Sequence, residues 1–225
     1  MVDVRHVVTE RLVLDVPEPG DVQDLHEVHA DPSVWEHFPS GRHTTPADTE
    51  AFLRRCGEGW SEHGLDYWTV RLREPSGTGP VVGLAGCSVR DGVVWNLYYR
   101  LSRATWGRGY AQEIIGAART AAGQVRPELP VVACLLEHNR GSRKAAERAG
   151  LELTWTGPDI GNPDPTAVRL VYADRPLSED ALESCSRDPA IAPVAALRPA
   201  TMRGGLRRRL HGQPLQGTPP PPGTG

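Results

Sequence analysis

The sequence lacks the features that mark several large classes of protein. Its 225 residues contain no run of about 18 apolar residues, the length that a membrane-spanning helix requires. The first ten residues, MVDVRHVVTE, lack the basic segment and the apolar run of a secretion signal. A formal net charge of −3 provides no overall positive field to attract nucleic acid or an anionic membrane. We therefore expect a soluble, cytoplasmic protein that makes no membrane contact.

Cysteine is scarce, and its spacing matches neither a disulfide framework nor a common metal site. The four cysteines are widely separated in the sequence: Cys56, Cys87, Cys134 and Cys185. This pattern favours reduced thiols. His26 and His29 stand three residues apart on a predicted helix, as two metal ligands can, but no cluster of carboxylates or cysteines accompanies them. We therefore predict no metal site.

The most informative stretch, residues 93–125, predicts a strand, a turn and a helix in succession. The strand, VVWNLYYRL, is too continuously apolar for a strand with one face in water, so we expect it near the centre of a sheet. The helix has apolar residues at the spacing of one buried face. These residues are Ala111, Ile114, Ile115, Ala118, Ala121, Ala122 and Val125.

The turn between this strand and helix, TWGRGYA, contains Gly107 and Gly109. Without a Cβ atom, both residues can adopt positive φ and let the backbone approach a ligand closely. The first four amides of a helix lack partners within the helix, and the helix dipole adds roughly half a positive charge there. The predicted occupant is therefore an anion, and above all a phosphate group. Taken alone, a Gly-x-Gly pair more often makes only a tight turn.

Three stretches resemble the GCN5-related N-acetyltransferases, in particular the branch that acetylates the N-termini of ribosomal proteins. WGRGYA (106–111) resembles the acyl-CoA motif in the form WGxGYAxE, with Trp106 in place of the more general Gln or Arg. TERLVLDVPEPGDVQDLHEVHADPSVWEHFP resembles the opening of the family. HNRGSRKAAERAGLE resembles its second cofactor segment, Asn-x-x-Ser followed by a helix. The resemblance covers roughly residues 9–176.

The resemblance implies a mixed α/β fold, with a central, mostly antiparallel sheet, a splayed parallel pair of strands, and helices on both faces. The sequence patterns predict elements in the same order. Strands are predicted for residues 9–16, 67–72, 80–89, 93–101, 131–136, 151–156 and 167–173, and helices for residues 22–29, 46–63, 111–125 and 140–149. The Asp91-Gly92 pair predicts a tight hairpin turn before the central strand.

We assign residues 1–177 to one acetyltransferase-like domain and residues 178–225 to a tail rich in arginine, proline and glycine. The tail ends in QGTPPPPGTG and has little apolar material to bury, so it is predicted to be disordered. A chain ending near Ser178 should then keep its fold. The GGLRRRL segment could contact RNA, although short basic runs are usually only solvated.

The resemblance implies acetyl-CoA as co-substrate and assigns candidate site residues one by one. Those implied to bind acetyl-CoA are Leu101, Trp106, Gly107, Arg108, Gly109, Tyr110, Ala111, Asn139, Ser142 and Arg143. Those implied to line the acceptor pocket are Trp35, His37, Phe38 and Tyr98. Two assignments have plain structural alternatives. The loop residues 35–38 can cover the core instead, and Asn139 can cap the helix that follows it.

The implied reaction transfers an acetyl group from acetyl-CoA to a primary amine of a protein N-terminus or a small molecule, by direct attack in a ternary complex. The amine must lose its proton before it attacks. Many members of the branch have an acid at the position of Asn96, and an amide cannot act as a base, so we predict deprotonation through water ordered by Asn96. Ser142 is predicted to donate to the departing thiolate, and Leu101 to supply a backbone amide for the thioester oxygen.

Two other classes of function remain open at this point. A non-catalytic acyl-CoA-binding regulator would keep the glycine turn without a route for an acceptor. A nucleotide-binding module would use the same turn for ATP or NAD. Against it, no lysine follows the glycines as in a Walker motif, and the third glycine of a dinucleotide fingerprint is missing. The partners allowed by the resemblance also include a second copy of the chain, as a homodimer, and nucleic acid only through the basic tail.

Overall fold

The computed structural model describes residues 3–75 and 77–187. A sheet of eight strands runs through this part of the chain. The strands are β1 (His6–Val8), β2 (Leu12–Asp15), β3 (Tyr67–Glu74), β4 (Gly77–Arg90), β5 (Val94–Leu101), β6 (Val131–Leu136), β7 (Glu152–Pro158) and β8 (Val168–Ala173). The helices are α1 (Val22–Ala30), α2 (Pro46–His63), α3 (Tyr110–Val125), α4 (Arg140–Arg148) and α5 (Glu179–Arg187). None of these helices is long and apolar enough to cross a membrane.

The strands follow the order β1-β2-β3-β4-β5-β6-β8-β7, in which β5 and β6 are parallel neighbours. These two strands pair only at Trp95 with Val131 and at Asn96 with Val132. Beyond these residues they separate, so a wedge opens in the middle of the sheet. The predicted class is confirmed: a mixed α/β fold with a mostly antiparallel sheet and one splayed parallel pair.

Helices cover both faces of the sheet, because its central strands bury both sets of alternating side chains. Helices α3 and α4 pack on the face that carries Trp68 and Trp95. Helices α1 and α2 pack on the opposite face, which carries Tyr67 and Tyr98. Helix α5 covers Val94, which lies on that second face. Both faces of β5 are therefore largely buried.

The extent predicted for the first strand, residues 9–16, is wrong. The chain instead turns between Thr9 and Leu12, where the Thr9 amide and hydroxyl donate to the Leu12 carbonyl at 2.9 and 3.1 Å. Strands β1 and β2 therefore form a hairpin around this turn. The other predicted elements are present with ends shifted by a few residues. Asp91 and Gly92, with φ of 50° and 76°, form the predicted tight turn.

Helix α5 lies within residues 178–225, the segment that the sequence predicts to be a disordered tail. Its Ala181 and Cys185 are buried against Val94 and Val171, so the packed structure continues to residue 187 and the tail prediction is corrected for residues 179–187. The segment as a whole has little apolar material, so its composition does not reveal the short apolar stripe of α5, which has helical spacing. Residues 188–225, with the basic cluster, lie outside the described residues.

Candidate active site

A cleft opens where β5 and β6 separate. It is lined by residues 96–100 of β5, by residues 133–136 of β6, and by His37, Asn139 and Ser142 from neighbouring segments. It contains about 490 Å³ of space, counted with the open volume at its mouth. Because the two strands no longer pair here, backbone groups as well as side chains of β5 can face this space.

The glycine turn follows the end of β5 and leads into α3. Gly107 has φ of 75°, and Gly109, the residue before α3, has φ of 83°. Both therefore use the left-handed conformation that glycine adopts without a steric penalty. A Cβ atom at Gly107 would meet nothing within 4 Å, so this side of the turn is open to a ligand.

The backbone amides of this turn are available for binding. The amides of Gln112 and Glu113 are used inside the protein, where they donate to the Gly109 carbonyl. Among the described residues, no acceptor is found for the amides from Gly107 to Ala111. Together with the positive end of the α3 dipole, these amides make a site suited to a diphosphate.

Arg11 and Glu113 hold the turn in place. Arg11 Nε and Nη2 contact Glu113 Oε2 at 2.9 and 2.8 Å, and Arg11 Nη1 donates to the Arg108 carbonyl at 2.7 Å. Burial raises the pKa of Glu113, but hydrogen bonds from Thr9 and Arg11 outweigh it and lower that pKa below its ordinary value. The carboxylate is therefore ionised and paired. Neither residue was predicted from the sequence to belong to the site, although Glu113 is the final letter of the WGxGYAxE pattern.

Trp106 and Leu101 connect the turn to the end of β5. Trp106 Nε1 donates to the Leu101 carbonyl at 2.9 Å, while nearly half of the tryptophan remains exposed. The next residue along the strand, Ser102, donates its amide to the Val82 carbonyl of β4 at 2.8 Å. Because backbone groups alternate in direction along a strand, the Leu101 amide points to the opposite edge of β5, where the wedge opens.

Helix α4 is connected to the cleft by three residues: Asn139, Ser142 and, on β5, Tyr99. Asn139 caps α4, and its side-chain oxygen accepts from the Ser142 amide at 3.1 Å. Tyr99 Oη donates to the Ser142 carbonyl at 3.3 Å. Burial raises the pKa of Tyr99, more than the hydrogen bond with Ser142 lowers it, so the phenol stays protonated and can donate. Tyr99 was not predicted from the sequence to belong to the site, because an aromatic residue in an apolar strand looks like part of the core.

The remaining residues predicted to bind the cofactor lie around the turn and on the outer side of α4. The Arg108 side chain is exposed, and the Arg11 guanidinium lies 4.9 Å from the centre of the Tyr110 ring. Arg143 Nε contacts Glu147 Oε1 at 2.9 Å along the exposed side of α4. A contact between Arg143 and a cofactor phosphate remains a prediction.

Asn96 lies where the pairing of β5 with β6 ends. It is 8% exposed, and its Oδ1 has no hydrogen-bond partner among the described residues. A buried carbonyl oxygen without a donor is unfavourable. Its position on the cleft therefore indicates a donor that comes from outside the protein, such as water or an amine.

Of the four residues predicted to line the acceptor pocket, His37 and Tyr98 reach the cleft. Trp35 and Phe38 are each 3% exposed and pack in a hydrophobic cluster, so their side chains cover the core, which was the alternative reading. Burial, and then the charge of Arg100, lowers the pKa of His37 to about 3. His37 is therefore neutral near pH 7 and is a weak base.

His29, one of the two histidines whose spacing was considered for a metal site, is buried next to Tyr98. Its Nδ1 lies 2.8 Å from the Leu25 carbonyl, and its Nε2 lies 3.1 Å from Tyr98 Oη. Burial, and then the nearby His43, lowers its pKa to about 3. Within residues 3–75 and 77–187, no group of three or more His, Cys, Asp and Glu side chains is arranged to hold a metal ion.

Comparison with models of known protein families gives a match over much of the chain. A family model for an acetyltransferase (GNAT) domain matches residues 11–152, which is more than half of the chain. The chain belongs to the GNAT acetyltransferase family. This GNAT protein is similar to an acetyltransferase from Agrobacterium tumefaciens str. C58, with 26% identity and a TM-score of 0.60 over 76% of this chain and 94% of that chain.

Two further solved structures share the fold of this GNAT protein at lower identity. The microcin C7 self immunity acetyltransferase MccE, in complex with acetyl-CoA and AMP, is 12% identical, with a TM-score of 0.60 over 73% of this chain and 92% of that chain. RimL, a ribosomal L7/L12 alpha-N-protein acetyltransferase in complex with coenzyme A, is 15% identical, with a TM-score of 0.60 over 74% and 95%. This GNAT protein is an acyltransferase, and its family uses acetyl-CoA.

Proposed function

We propose that this GNAT protein transfers the acetyl group of acetyl-CoA to a primary amine, of a peptide N-terminus or a small molecule, by direct attack within a ternary complex. The observation that carries the proposal is the wedge between β5 and β6, which opens near the free amides of the Gly107–Ala111 turn. Acetyl-CoA would supply an activated acetyl thioester. A diphosphate site beside a narrow wedge suits one extended molecule with a phosphate end and a reactive end.

The residues present fit this co-substrate. The amides from Gly107 to Ala111 would bind its diphosphate, and Asn139 and Ser142 would flank its arm in the cleft. The Leu101 amide, directed to the open edge of β5, would donate to the thioester oxygen. A donor placed where negative charge develops usually supplies a large share of the rate enhancement.

The cleft favours an acceptor amine that loses its proton readily, because His37 is a weak base. An N-terminal α-amine has a pKa of about 8, and a lysine side chain about 10.4. At a pH of about 7.5, roughly a quarter of the α-amine is neutral, compared with about a thousandth of the lysine. The unpaired Asn96 Oδ1 can orient the amine or the water that accepts its proton. These fractions support an α-amine as the acceptor.

Ser142→Ala should lower kcat by on the order of tenfold to a thousandfold with little change in acetyl-CoA affinity. The proposed role of its hydroxyl is to donate to the departing thiolate, an interaction made mainly in the transition state. The cap of α4 should survive, because Asn139 accepts from the Ser142 backbone amide rather than from its side chain. Steady-state kinetics and isothermal titration with acetyl-CoA separate the two effects.

Asn139→Ala provides the contrast for Ser142→Ala. It removes the cap itself and should lower the free energy of unfolding by about 1 kcal/mol. If Ser142→Ala is as active as the wild type, the Ser142 hydroxyl is not the donor to the departing thiolate. The same kinetics on Tyr99→Phe would then show whether the neighbouring phenol is the donor.

Arg11→Gln should lower acetyl-CoA affinity by about tenfold. The substitution removes the cation that balances the Glu113 carboxylate at the start of α3, so the carboxylate charge opposes that of a bound diphosphate. Isothermal titration measures the loss. In Arg11→Gln/Glu113→Gln part of the affinity should return, because the unbalanced carboxylate charge is gone while the contact of Arg11 with the Arg108 carbonyl is still lost. Equal losses in the single and the double variant would contradict this account.

The overall proposal is tested by incubating the protein with radiolabelled acetyl-CoA and a panel of amines: peptide N-termini, lysine, polyamines and aminoglycosides. Transfer of label to one class of amine is the expected result. Tight binding of acetyl-CoA without transfer to any amine would instead favour the acyl-CoA-binding regulator. Equilibrium titrations with CoA, ATP and NAD test the nucleotide-binding alternative, which requires the latter two to bind more tightly.

A further inference from the structure

Arg100 is buried at the cleft without an acidic partner. It is 7% exposed, and no carboxylate among the described residues forms an ion pair with it. The other buried arginine of the described residues, Arg169, is paired with Asp159 at 2.6 Å. Removing a guanidinium from water is unfavourable unless an opposite charge compensates for it. The uncompensated charge of Arg100 therefore indicates that a ligand supplies the missing anion.

Neutral contacts hold the Arg100 guanidinium in position and leave part of it unsatisfied. Its Nη1 donates to the Val34 carbonyl at 3.2 Å and to His37 Nε2 at 2.9 Å. The guanidinium lies 3.8 Å from the ring centre of Trp35. Its Nε is buried and has no hydrogen-bond partner within the described part of the chain. Arg100 itself lines the cleft, so an incoming group can approach it.

Arg100 faces away from the helix that begins at the diphosphate site. Side chains alternate along β5, so Arg100 shares a face with Tyr98 and Asn96, and this face is covered by α1 and α2. Leu101 faces the opposite side, where α3 packs. Asn96 Oδ1 is a second buried polar atom of the cleft without a partner among the described residues. One strand face thus presents an acceptor atom that suits an amine and a donor that suits an anion.

We propose that the acceptor is an amine that also carries a carboxylate, and that Arg100 binds this carboxylate close to the reacting amine. The inference rests on the acetyl transfer proposed above. The planar edge of a guanidinium matches the two oxygens of a carboxylate. His37 accepts from Arg100 and is neutral, so Arg100 is the charged member of this pair and can bind an anionic group. The substrate class is a peptide or amino acid with an acidic group near its amine.

Two amidated tripeptides that differ in one group, Ser-Asp-Ala and Ser-Asn-Ala, test this proposal through their kcat/KM values with acetyl-CoA. A hydrogen-bonded charge pair contributes on the order of tenfold to a hundredfold in affinity, so the wild-type protein should prefer the Asp peptide by about that factor. Arg100→Gln should abolish the preference, and Arg100→Lys should keep only part of it. Arg42→Gln, which removes an exposed arginine from the same region of the chain, should retain the preference.

Several results would overturn the proposal. Equal kcat/KM values for the two peptides with the wild-type protein would contradict the proposal that Arg100 binds a substrate carboxylate. An unchanged preference in Arg100→Gln would contradict it as well. Either result would leave the proposed acetyl transfer intact. Equal losses on both peptides, with a lower melting temperature, would assign Arg100 to bracing the loop at Val34. Faster acetylation of a phosphoserine peptide than of the Asp peptide would show that Arg100 binds a phosphate group rather than a carboxylate. If no amine at all is acetylated, the proposed function fails, and weaker binding of the Asp peptide to Arg100→Gln than to wild type would still support the anion site.

Discussion

Gly109→Asp should reduce acetyl-CoA affinity by about a hundredfold while the protein stays folded. The new carboxylate would stand among the free amides from Gly107 to Ala111, where the diphosphate is proposed to bind. At about 4 Å and an effective dielectric constant of about 20, two like charges repel by about 4 kcal/mol, or about a thousandfold. The turn is exposed, so water and salt reduce this repulsion, and about a hundredfold remains.

The fold should tolerate this change for a local reason. Gly109 has φ of 83°, and aspartate is one of the residues that tolerates left-handed backbone best. The nearest atom to a new Cβ is Arg11 Nη2 at 3.5 Å, an ordinary contact. Gly116→Asp is the matched control, because it adds the same charge to an exposed position of α3 with no atom within 4 Å. If isothermal titration gives equal acetyl-CoA affinity for both variants, the turn does not bind the diphosphate.

A chain that ends after residue 177 should lose about 2–4 kcal/mol of its free energy of unfolding. The shortened chain lacks α5, so Val94 and Val171 lose the helix that covers them. The buried guanidinium of Arg169 also loses the Cys185 carbonyl as an acceptor. At about 2–4 °C per kcal/mol for a protein of this size, the melting temperature should fall by about 5–15 °C. The sequence alone predicts no change.

A chain that ends after residue 187 is the control for this experiment. It keeps α5 and removes only the segment that the sequence predicts to be disordered. Its melting temperature and its turnover of a small amine should equal those of the full chain. Thermal unfolding of both shortened chains beside the full chain decides the matter. Equal melting temperatures for the chains ending at 177 and 187 would show that α5 adds no stability.

The central part of the fold was predictable because its signals are local. The glycine turn after an apolar strand, the regular apolar positions of α3 and the cap residue before α4 each fix structure within about one or two helical turns. The family resemblance then implied a mostly antiparallel sheet with one splayed parallel pair. The hairpin at Thr9 and helix α5 escaped prediction, because a short turn and a nine-residue helix give weak patterns in a polar context.

In the candidate site as well, local features were predictable from the sequence, whereas contacts between distant residues were not. The turn proposed to bind an anion is predictable from two glycines and a helix start, all within six residues, 106–111. The ion pair between Arg11 and Glu113 joins residues 102 positions apart in the sequence. No local sequence pattern at either residue predicts this contact. Trp35 and Phe38 could cover a core or line a pocket with the same sequence around them. Only the packing around them placed both side chains in the core.

The sequence therefore predicted the family and the central elements, and it located the glycine turn that we propose binds the diphosphate, because backbone conformation at glycines and helix starts depends on nearby residues. The tertiary structure decided which polar groups on the cleft lack partners. Arg100 looks like any charged residue at the end of a strand until its surroundings show that no carboxylate of the described residues forms an ion pair with it. Pairing of charges is a property of distant segments brought together, and it is pairing that sets the free energy of a buried charge. The substrate class proposed for this protein depends on that fact.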